Sequence, residues 1–358
     1  MSPSIPTLSG PSNFQYSTHM TVSKMMLIFS FVAGVMIALV PHILWLLSSI
    51  VGRVGGFRVS YPPFGWSALG LVLLFWSVMA YGYFIGRWRI STIEMEYSHN
   101  TIPKSYDGFR IVHISDLHLS TFDDRPEHVL KIVDRINALE PDLVCFTGDM
   151  VTTGVEEAVP YTSMLKSLKS RYGVVSVLGN HDFLIYSHTH RTPSERENGV
   201  NEFVDYQMDT LGWKVLRNEN ISITDESGST IYVIGVDNIN GSEQGFRTIE
   251  RGDLAKAMTG VGDGFRILLS HDPAHWSHQV VGKTDIPLTL SGHTHAAQIK
   301  LFGWNPSSLM FDHTDGRYDI GDQTLYVNIG LGCTAPFRFG ATPEITLITL
   351  HPSPHPSE

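Results

Sequence analysis

The chain has 358 residues, 42% of them hydrophobic and only 17% charged, with 35 acidic side chains against 25 basic ones and a formal net charge of -10. That length exceeds one small domain, and the low charge sits below the roughly 25% usual in soluble proteins. An acidic balance argues against non-specific nucleic-acid binding, which depends on Lys and Arg neutralising phosphates. It leaves open a small phosphorylated substrate, because bound cations would reverse the local field.

In chain order, residues 1–24 are rich in Ser, Thr and Pro without periodicity and read as a mobile tail. From Met25 to Val51 no residue carries a formal charge except a proton on His42, and Trp66 to Gly86 is a second uncharged run. Each is long enough to cross the ~30 Å hydrocarbon core. Two membrane helices, about 25–51 and 66–86, are therefore expected, with Pro41 as a candidate kink and Trp45, Trp66 and Trp76 suited to a bilayer. The alternative is a cleaved signal peptide followed by a buried helix. The first run is too long for that and lacks a basic n-region. Lys24, Arg87, Arg89 and Lys104 flank the side shared by tail and remainder, whereas Arg53 and Arg58 lie in the opposite loop. Four against two leans towards a cytoplasmic location for the remainder.

Residues 87–358 have the pattern of a soluble α/β domain. Val- and Ile-rich runs predict strands at Ile111–Ser115, Leu143–Thr147, Val174–Leu178, Ile231–Val236, Ile267–Ser270 and Pro287–Leu290. Pro126 to Leu139 has apolar residues at helical spacing. Ile221–Thr224 and Ile231–Val236 flank Glu226-Ser227-Gly228-Ser229, which reads as a hairpin turn. Further strands are expected at Gln298–Leu301, Leu325–Asn328 and Ile345–Leu350. Strand–helix alternation followed by hairpins predicts two sheets with helices outside. The two cysteines, Cys145 and Cys333, say little about redox compartment, and Cys145 reads as a core thiol.

Five polar motifs each follow a predicted strand: Asp116-Leu117-His118, Gly148-Asp149, Gly179-Asn180-His181-Asp182, Ser270-His271-Asp272 and Gly292-His293-Thr294-His295. Loops at the carboxyl ends of strands converge on one crevice, so the five motifs predict a single site. If the chain is extended there, Asp116 with His118, and His293 with His295, point to one side as i, i+2 pairs. Imidazole, carboxylate and amide oxygen without thiolate suit Zn, Mn or Fe. Seven such groups exceed the need of one tetrahedral ion and fit a pair of divalent ions.

The ordered motif series resembles the calcineurin-like metallophosphoesterase superfamily, and its membrane-associated bacterial branch in particular. The branch is indicated by Asp107-Gly108-Phe109-Arg110, by Tyr326 to Gly332 and by Arg338 to Glu344, and the likeness covers roughly residues 90–350. It implies a two-sheet α/β/β/α sandwich, preceded here by two transmembrane helices. It implies that Asp116, His118 and His295 hold one divalent ion, that Asn180, His271 and His293 hold a second, and that Asp149 bridges them. Such ions clamp the attacking and leaving oxygens of an in-line displacement and acidify a bridging water. His181 would act as general acid, with Asp182 orienting its ring.

Two departures stand out. Thr152 occupies the position of a second carboxylate in the Gly148-Asp149 motif, which implies altered support for the ligands rather than lost metal. Ala296-Ala297 stand where relatives often have two glycines, which implies a tighter loop. Among the remaining candidates, His113 reads as a core histidine, and His188 and His190, followed by Arg191, as surface residues with substrate contact as the alternative. Arg338 is open between a substrate phosphate and a structural salt bridge.

The expected activity is hydrolysis of a phosphoester or pyrophosphate, with a lipid-linked substrate favoured by the anchor. A tethered nucleotide or phosphoprotein phosphatase is the second enzyme reading, and a non-catalytic membrane scaffold that keeps the fold is the third. No G-x-S-x-G motif supports a serine hydrolase.

Overall fold

The computed structural model describes residues 13–123, 125–187, 189, 192–238 and 251–353. His188, His190 and Arg191 lie outside these. The chain divides into two compact units: one holds the two N-terminal helices together with Ala335–Phe339, and the other holds Arg87–Thr334 and the chain from Gly340 onward.

In the first unit α1 runs Asn13–Gly55 and α2 runs Pro62–Phe84. The expected tail is therefore helical from Asn13, and Pro41 lies inside one continuous helix. The link between the helices is held by Trp45 Nε1 donating to the Val59 carbonyl at 3.3 Å and by a 3.3 Å bond between Tyr61 and His42. Met25–Gly55 and Pro62–Trp88 are each long and apolar enough to cross a membrane. Their apolar side chains face outward, with Phe29 69% and Trp66 72% exposed. Burying such side chains against protein or lipid is worth about 1.5–3 kcal/mol each. A core helix of a soluble protein would hide them, so these helices fit membrane spans.

Gly82 and Gly86 give the end of this unit a face without side chains. A Cβ on Gly82 would meet the Phe337 ring at 2.2 Å, and one on Gly86 would meet the Arg338 carbonyl at 1.9 Å. Arg338 N–H donates to the Gly82 carbonyl at 3.2 Å, and Phe339 meets Tyr81 edge-on at 5.6 Å. The hydrolase boundary expected at residue 87 thus has an exception: Ala335–Phe339 belongs with the helices. The Arg338 side chain is fully buried.

The second unit is built on two six-stranded sheets. The strands are β1 Ser91–His99, β2 Arg110–Ile114, β3 Leu143–Phe146, β4 Val174–Ser176, β5 Lys214–Val215, β6 Glu219–Thr224, β7 Thr230–Gly235, β8 Phe265–Leu269, β9 Leu288–Ser291, β10 Gly316–Ile320, β11 Gln323–Val327 and β12 Glu344–Pro352. One sheet runs β1-β12-β2-β3-β4-β5 and the other β10-β11-β9-β8-β7-β6. β2, β3 and β4 are adjacent and parallel, as are β7, β8 and β9. β6 and β7 form the expected antiparallel hairpin.

Strands buried on both faces read as continuous apolar runs, which is why Ile111–Ile114 and Leu143–Phe146 are wholly buried. Ile111, Cys145, Val175, Ile231, Ile267, Leu290 and Ile348 form the core between the sheets. Outside the first sheet, α3 (Pro126–Ala138) packs Val129, Ile132 and Ile136 against Val144 and Phe146. Outside the second, Trp276 and Val280 pack with Leu268 and Val327. The layers are α/β/β/α, as expected. Cys145 and Cys333 are buried free thiols.

One expected strand is absent: Gln298–Leu301 joins neither sheet, although Ile299 is extended. Ala296, Ala297 and Gln298 all have left-handed backbones, with φ of 51°, 49° and 60°, so the chain coils through a short turn, His295–Gln298, instead. Each left-handed alanine costs roughly 1–2 kcal/mol. Glycine at these positions would avoid that cost.

Candidate metal centre

Asp116 and His118 follow β2, Asp149 follows β3, and Asn180 and His181 follow β4. His271 follows β8, while His293 and His295 follow β9. The motifs leave the same ends of neighbouring parallel strands in both sheets, and their side chains meet in three overlapping groups. These are Asp116–His118–His295, His118–Asp149–His181 and Asp149–His271–His293, with ligand atoms within 4.8 Å of one another in each.

His295 Nε2 is 3.1 Å from Asp116 Oδ1 and 3.2 Å from His118 Nε2. His271 Nε2 is 3.1 Å from Asn180 Oδ1 and 3.2 Å from His293 Nδ1. Asp149 Oδ2 lies between these groups, 3.2 Å from His271 Nε2 and 3.6 Å from His118 Nε2. Its other oxygen accepts the His181 N–H at 2.8 Å.

All seven sequence-expected ligands are thus brought together, although not by the expected local geometry. Asp116, His118, His293 and His295 are not in extended chain. Their φ values are 50°, 41°, 75° and 50°, and Asp149 joins them at 58°. Left-handed backbone at non-glycine residues costs energy and clusters at functional sites. The turns deliver His295 to one group and its i-2 neighbour His293 to the other, which an extended pair would not do.

Two glycines make room for the carboxylates. A Cβ on Gly179 would meet Asp149 Oδ1 at 2.2 Å, and one on Gly292 would meet Asp116 Oδ2 at 2.3 Å.

The donor set fits divalent cations. Asp116 Oδ1 is buried and faces imidazole nitrogens, His295 Nε2 at 3.1 Å and His118 Nε2 at 3.9 Å, a mix of carboxylate and imidazole that suits a divalent cation. His118 and His295 turn Nε2 atoms towards each other, and His271 Nδ1 must carry a proton because it faces the Thr147 carbonyl at 2.8 Å. That leaves His271 Nε2 as the donor to a metal.

The electrostatics agree. Burial alone would raise the Asp149 carboxyl, yet His271, His181 and His118 hold it well below the usual carboxylate range. Burial pushes His118 down, so its ring is neutral and able to coordinate. Burial also opposes a charge on His271, but Asp149 and Asp116 override it and push its pKa up to about 10. Without metal, a proton therefore sits where a cation would. Metal binding at pH 8 should displace that proton. Calorimetric titration of metal into apo-protein in buffers of different ionisation enthalpy should show net proton release, and buffer-independent heats would contradict it.

The supporting contacts differ from expectation at one residue. Asp182 does not orient His181. Its buried carboxylate accepts N–H bonds from Asp149, Met150, Val151 and Gly179 at 2.7–3.3 Å. Burial, then the Asp149 charge, raise it to about 8, while the amides favour the carboxylate. Asp182 therefore fixes the loop that carries Asp149. The His181 ring is held instead by its Nδ1–H donating to the Thr152 carbonyl at 2.8 Å, with Tyr186 tilted against it at 4.4 Å.

Thr152 also places its hydroxyl 3.3 Å from His118 Nδ1 and 2.7 Å from Ser120 Oγ. Glu157 accepts the Thr152 and Thr153 N–H groups at 2.6 and 2.7 Å. Tyr186 and Glu157 were not singled out in the sequence, since neither lies in a motif. Thr152→Val should lower activity or metal affinity by about 10-fold, the lower end for a partner of a ligating histidine. A metal titration checks this, and an unchanged affinity and rate would show that Ser120 and the backbone suffice. His113 is buried, with Nε2 2.9 Å from Thr147 Oγ1, as a core histidine should be.

A two-sheet sandwich with carboxylates and imidazoles gathered at its strand ends defines a metal-dependent phosphoesterase. The family model described as calcineurin-like phosphoesterase matches residues 109–297, and the chain belongs to that family of metal-dependent phosphoester hydrolases. An uncharacterized metallophosphoesterase of Bacillus subtilis is 32% identical over 75% of this chain and 89% of its own. A transmembrane protein with metallophosphoesterase domain of Bos taurus is 30% identical over 74% of this chain but only 57% of its own. A UDP-2,3-diacylglucosamine pyrophosphatase of Chlamydia trachomatis is 29% identical over 69% of this chain and 86% of its own.

Proposed function

We propose that this protein hydrolyses the phosphoester or pyrophosphate bond of a lipid-linked substrate at a membrane surface, with two divalent ions (Mn, Fe or Zn) in its centre. The observation that carries this reading is the position of Asp149 Oδ2 between two imidazole groups. Asp116, His118 and His295 would hold one ion, Asn180, His271 and His293 the other, and Asp149 would touch both. When bound, such ions supply a water acidified towards neutral pH and offset the negative charge of the phosphate. The chain's own work is to fix those donors, exclude water beneath them with the inter-sheet core, and present His181 Nε2 to the leaving oxygen. Nδ1 of that ring is committed to Thr152.

The lipid-linked class is favoured by the two candidate spans and by the diacylated substrate in the name of the Chlamydia relative. Residues 25–86 act as the anchor in this reading, and the excess of flanking basic residues favours a hydrolase on the cytoplasmic side.

Full-length protein purified in detergent should carry two ions per chain by bulk metal analysis and lose turnover on chelation. On a panel of nucleotide-sugar lipid, phospholipid, free nucleotide and phosphopeptide it should prefer the lipid-bearing compounds. Preference for nucleotide or phosphopeptide would make it a tethered phosphatase, and absence of metal from folded protein would make it a scaffold.

A further inference from the structure

The segment after the last ligand motif has a second character. From Leu301 to Phe311 there is no ionisable side chain. Leu301 and Trp304 exchange backbone hydrogen bonds at 2.8 and 2.9 Å, and the two residues between them, Phe302 and Gly303, have φ of 51° and 87°. Two successive left-handed residues define the tight hairpin turn that normally selects Asn-Gly. Phenylalanine is a poor choice for its first position, since a bulky side chain there is a conformational outlier. Yet Phe302 occupies it and is fully exposed.

In the same uncharged segment Trp304 is 51% exposed and Leu309 77%. The segment is nonetheless firmly built. Asn305 is buried and donates to Thr314 Oγ1 at 3.0 Å and Asp315 Oδ1 at 2.7 Å. Asp315 also pairs with Lys300, at the stem. At its far end Phe311 meets the His293 ring edge-on at 5.5 Å.

We propose that the Leu301–Trp304 hairpin, with Leu309 of the same segment, is a wedge that inserts into the bilayer surface and sets the metal centre against it. An apolar cluster held in water on a defined turn marks a surface meant for another phase, and Trp, Phe and Leu are the residues that enter the interface. A protruding tip offers no groove for an acyl chain, so the occupant is the bilayer itself. The chain supplies that occupant through its two candidate spans. The stem is itself packed tightly within the hydrolase unit, since a Cβ on Gly340 would fall 1.8 Å from the Lys300 carbonyl. Without charges in the segment, insertion depends on apolar transfer and not on anionic lipid.

The test uses the full chain in phosphatidylcholine vesicles, labelled with an environment-sensitive fluorophore at Phe302→Cys or, as control, at Ser227→Cys on the turn between β6 and β7. Both native cysteines are buried. The 302 label should be quenched by nitroxide placed in the upper acyl region, at the 5–10 Å depth of interfacial insertion, about threefold more than the 227 label. It should be shielded from aqueous iodide and unaffected by adding anionic lipid. Iodide access equal to that at 227 overturns the proposal. So does lipid quenching that is equal at both sites, and so does shielding from both quenchers, which would mean cover by protein. The inference rests on the spanning reading of α1 and α2, whose failure is separable: alkaline carbonate would then release the protein from the vesicles.

Discussion

Asp149→Asn is expected to abolish turnover while leaving a folded protein. The native Oδ2 faces His271 Nε2 at 3.2 Å and His118 Nε2 at 3.6 Å, and Oδ1 holds the His181 backbone. An asparagine can keep one of these contacts through its carbonyl oxygen. It cannot keep both the geometry and the negative charge that two cations would share, and an amide –NH₂ at the second position is a donor where an acceptor is required. Fold and centre are separable because the loop is held from beneath, by the Asp182 carboxylate on four backbone amides.

Nor does the substitution strand a buried charge in the metal-free state. The pKa of His271 is about 10 because Asp149 and Asp116 outweigh its burial. With Asp149 neutral, the balance shifts towards desolvation and a neutral ring. Bulk metal analysis should find fewer ions than in wild type, circular dichroism should be unchanged, and hydrolysis of a small phosphodiester should fall to background. Wild-type activity with a full metal complement would exclude Asp149 as the shared ligand.

The strands and the ligands were legible in the sequence for one reason. Strands buried on both faces are nearly continuously apolar, so Leu143–Phe146 announces itself, as do Ile111–Ile114 and Leu288–Leu290 with one polar residue each, His113 and Thr289, and polar clusters directly after such runs fall at strand ends. Three of the four edge strands were not legible. β1 alternates exposed Glu94 and Glu96 with buried Met95 and Tyr97, β5 has two residues, and β10 is largely exposed. Each is defined by its neighbour rather than by its own pattern.

Backbone handedness at the ligands was equally hidden. Nothing in Asp116-Leu117-His118 distinguishes an extended pair from two left-handed residues, and the latter is what the loop contacts impose. The role that the resemblance implies for Asp182, orienting His181, is not what its contacts show, because its oxygens are taken by four backbone amides. In fact a carboxylate facing four amide donors satisfies far more of its hydrogen-bonding capacity than one facing a single ring nitrogen.

His181→Ala should lower the rate by about 10²–10⁴-fold on a substrate with a poor leaving group, the usual contribution of a general acid. The ring is fitted for that role by its surroundings. Nδ1–H donates to the Thr152 carbonyl at 2.8 Å, which fixes the tautomer and leaves Nε2 as the atom that gains and gives a proton. Tyr186 at 4.4 Å and His118 at 4.8 Å fix the ring plane. His181 also lies in one of the three ligand groups, with His118 and Asp149, so a role as ligand must be separated from a role as acid.

Leaving-group dependence separates them. An alkoxide must be protonated as it departs, whereas nitrophenolate is stable without a proton. The loss should therefore shrink towards unity for nitrophenyl esters and be full for alkyl esters, with metal content held at the wild-type value. A loss of equal size on both esters with metal retained would make His181 a positioning residue, and a loss that follows missing metal would make it a ligand.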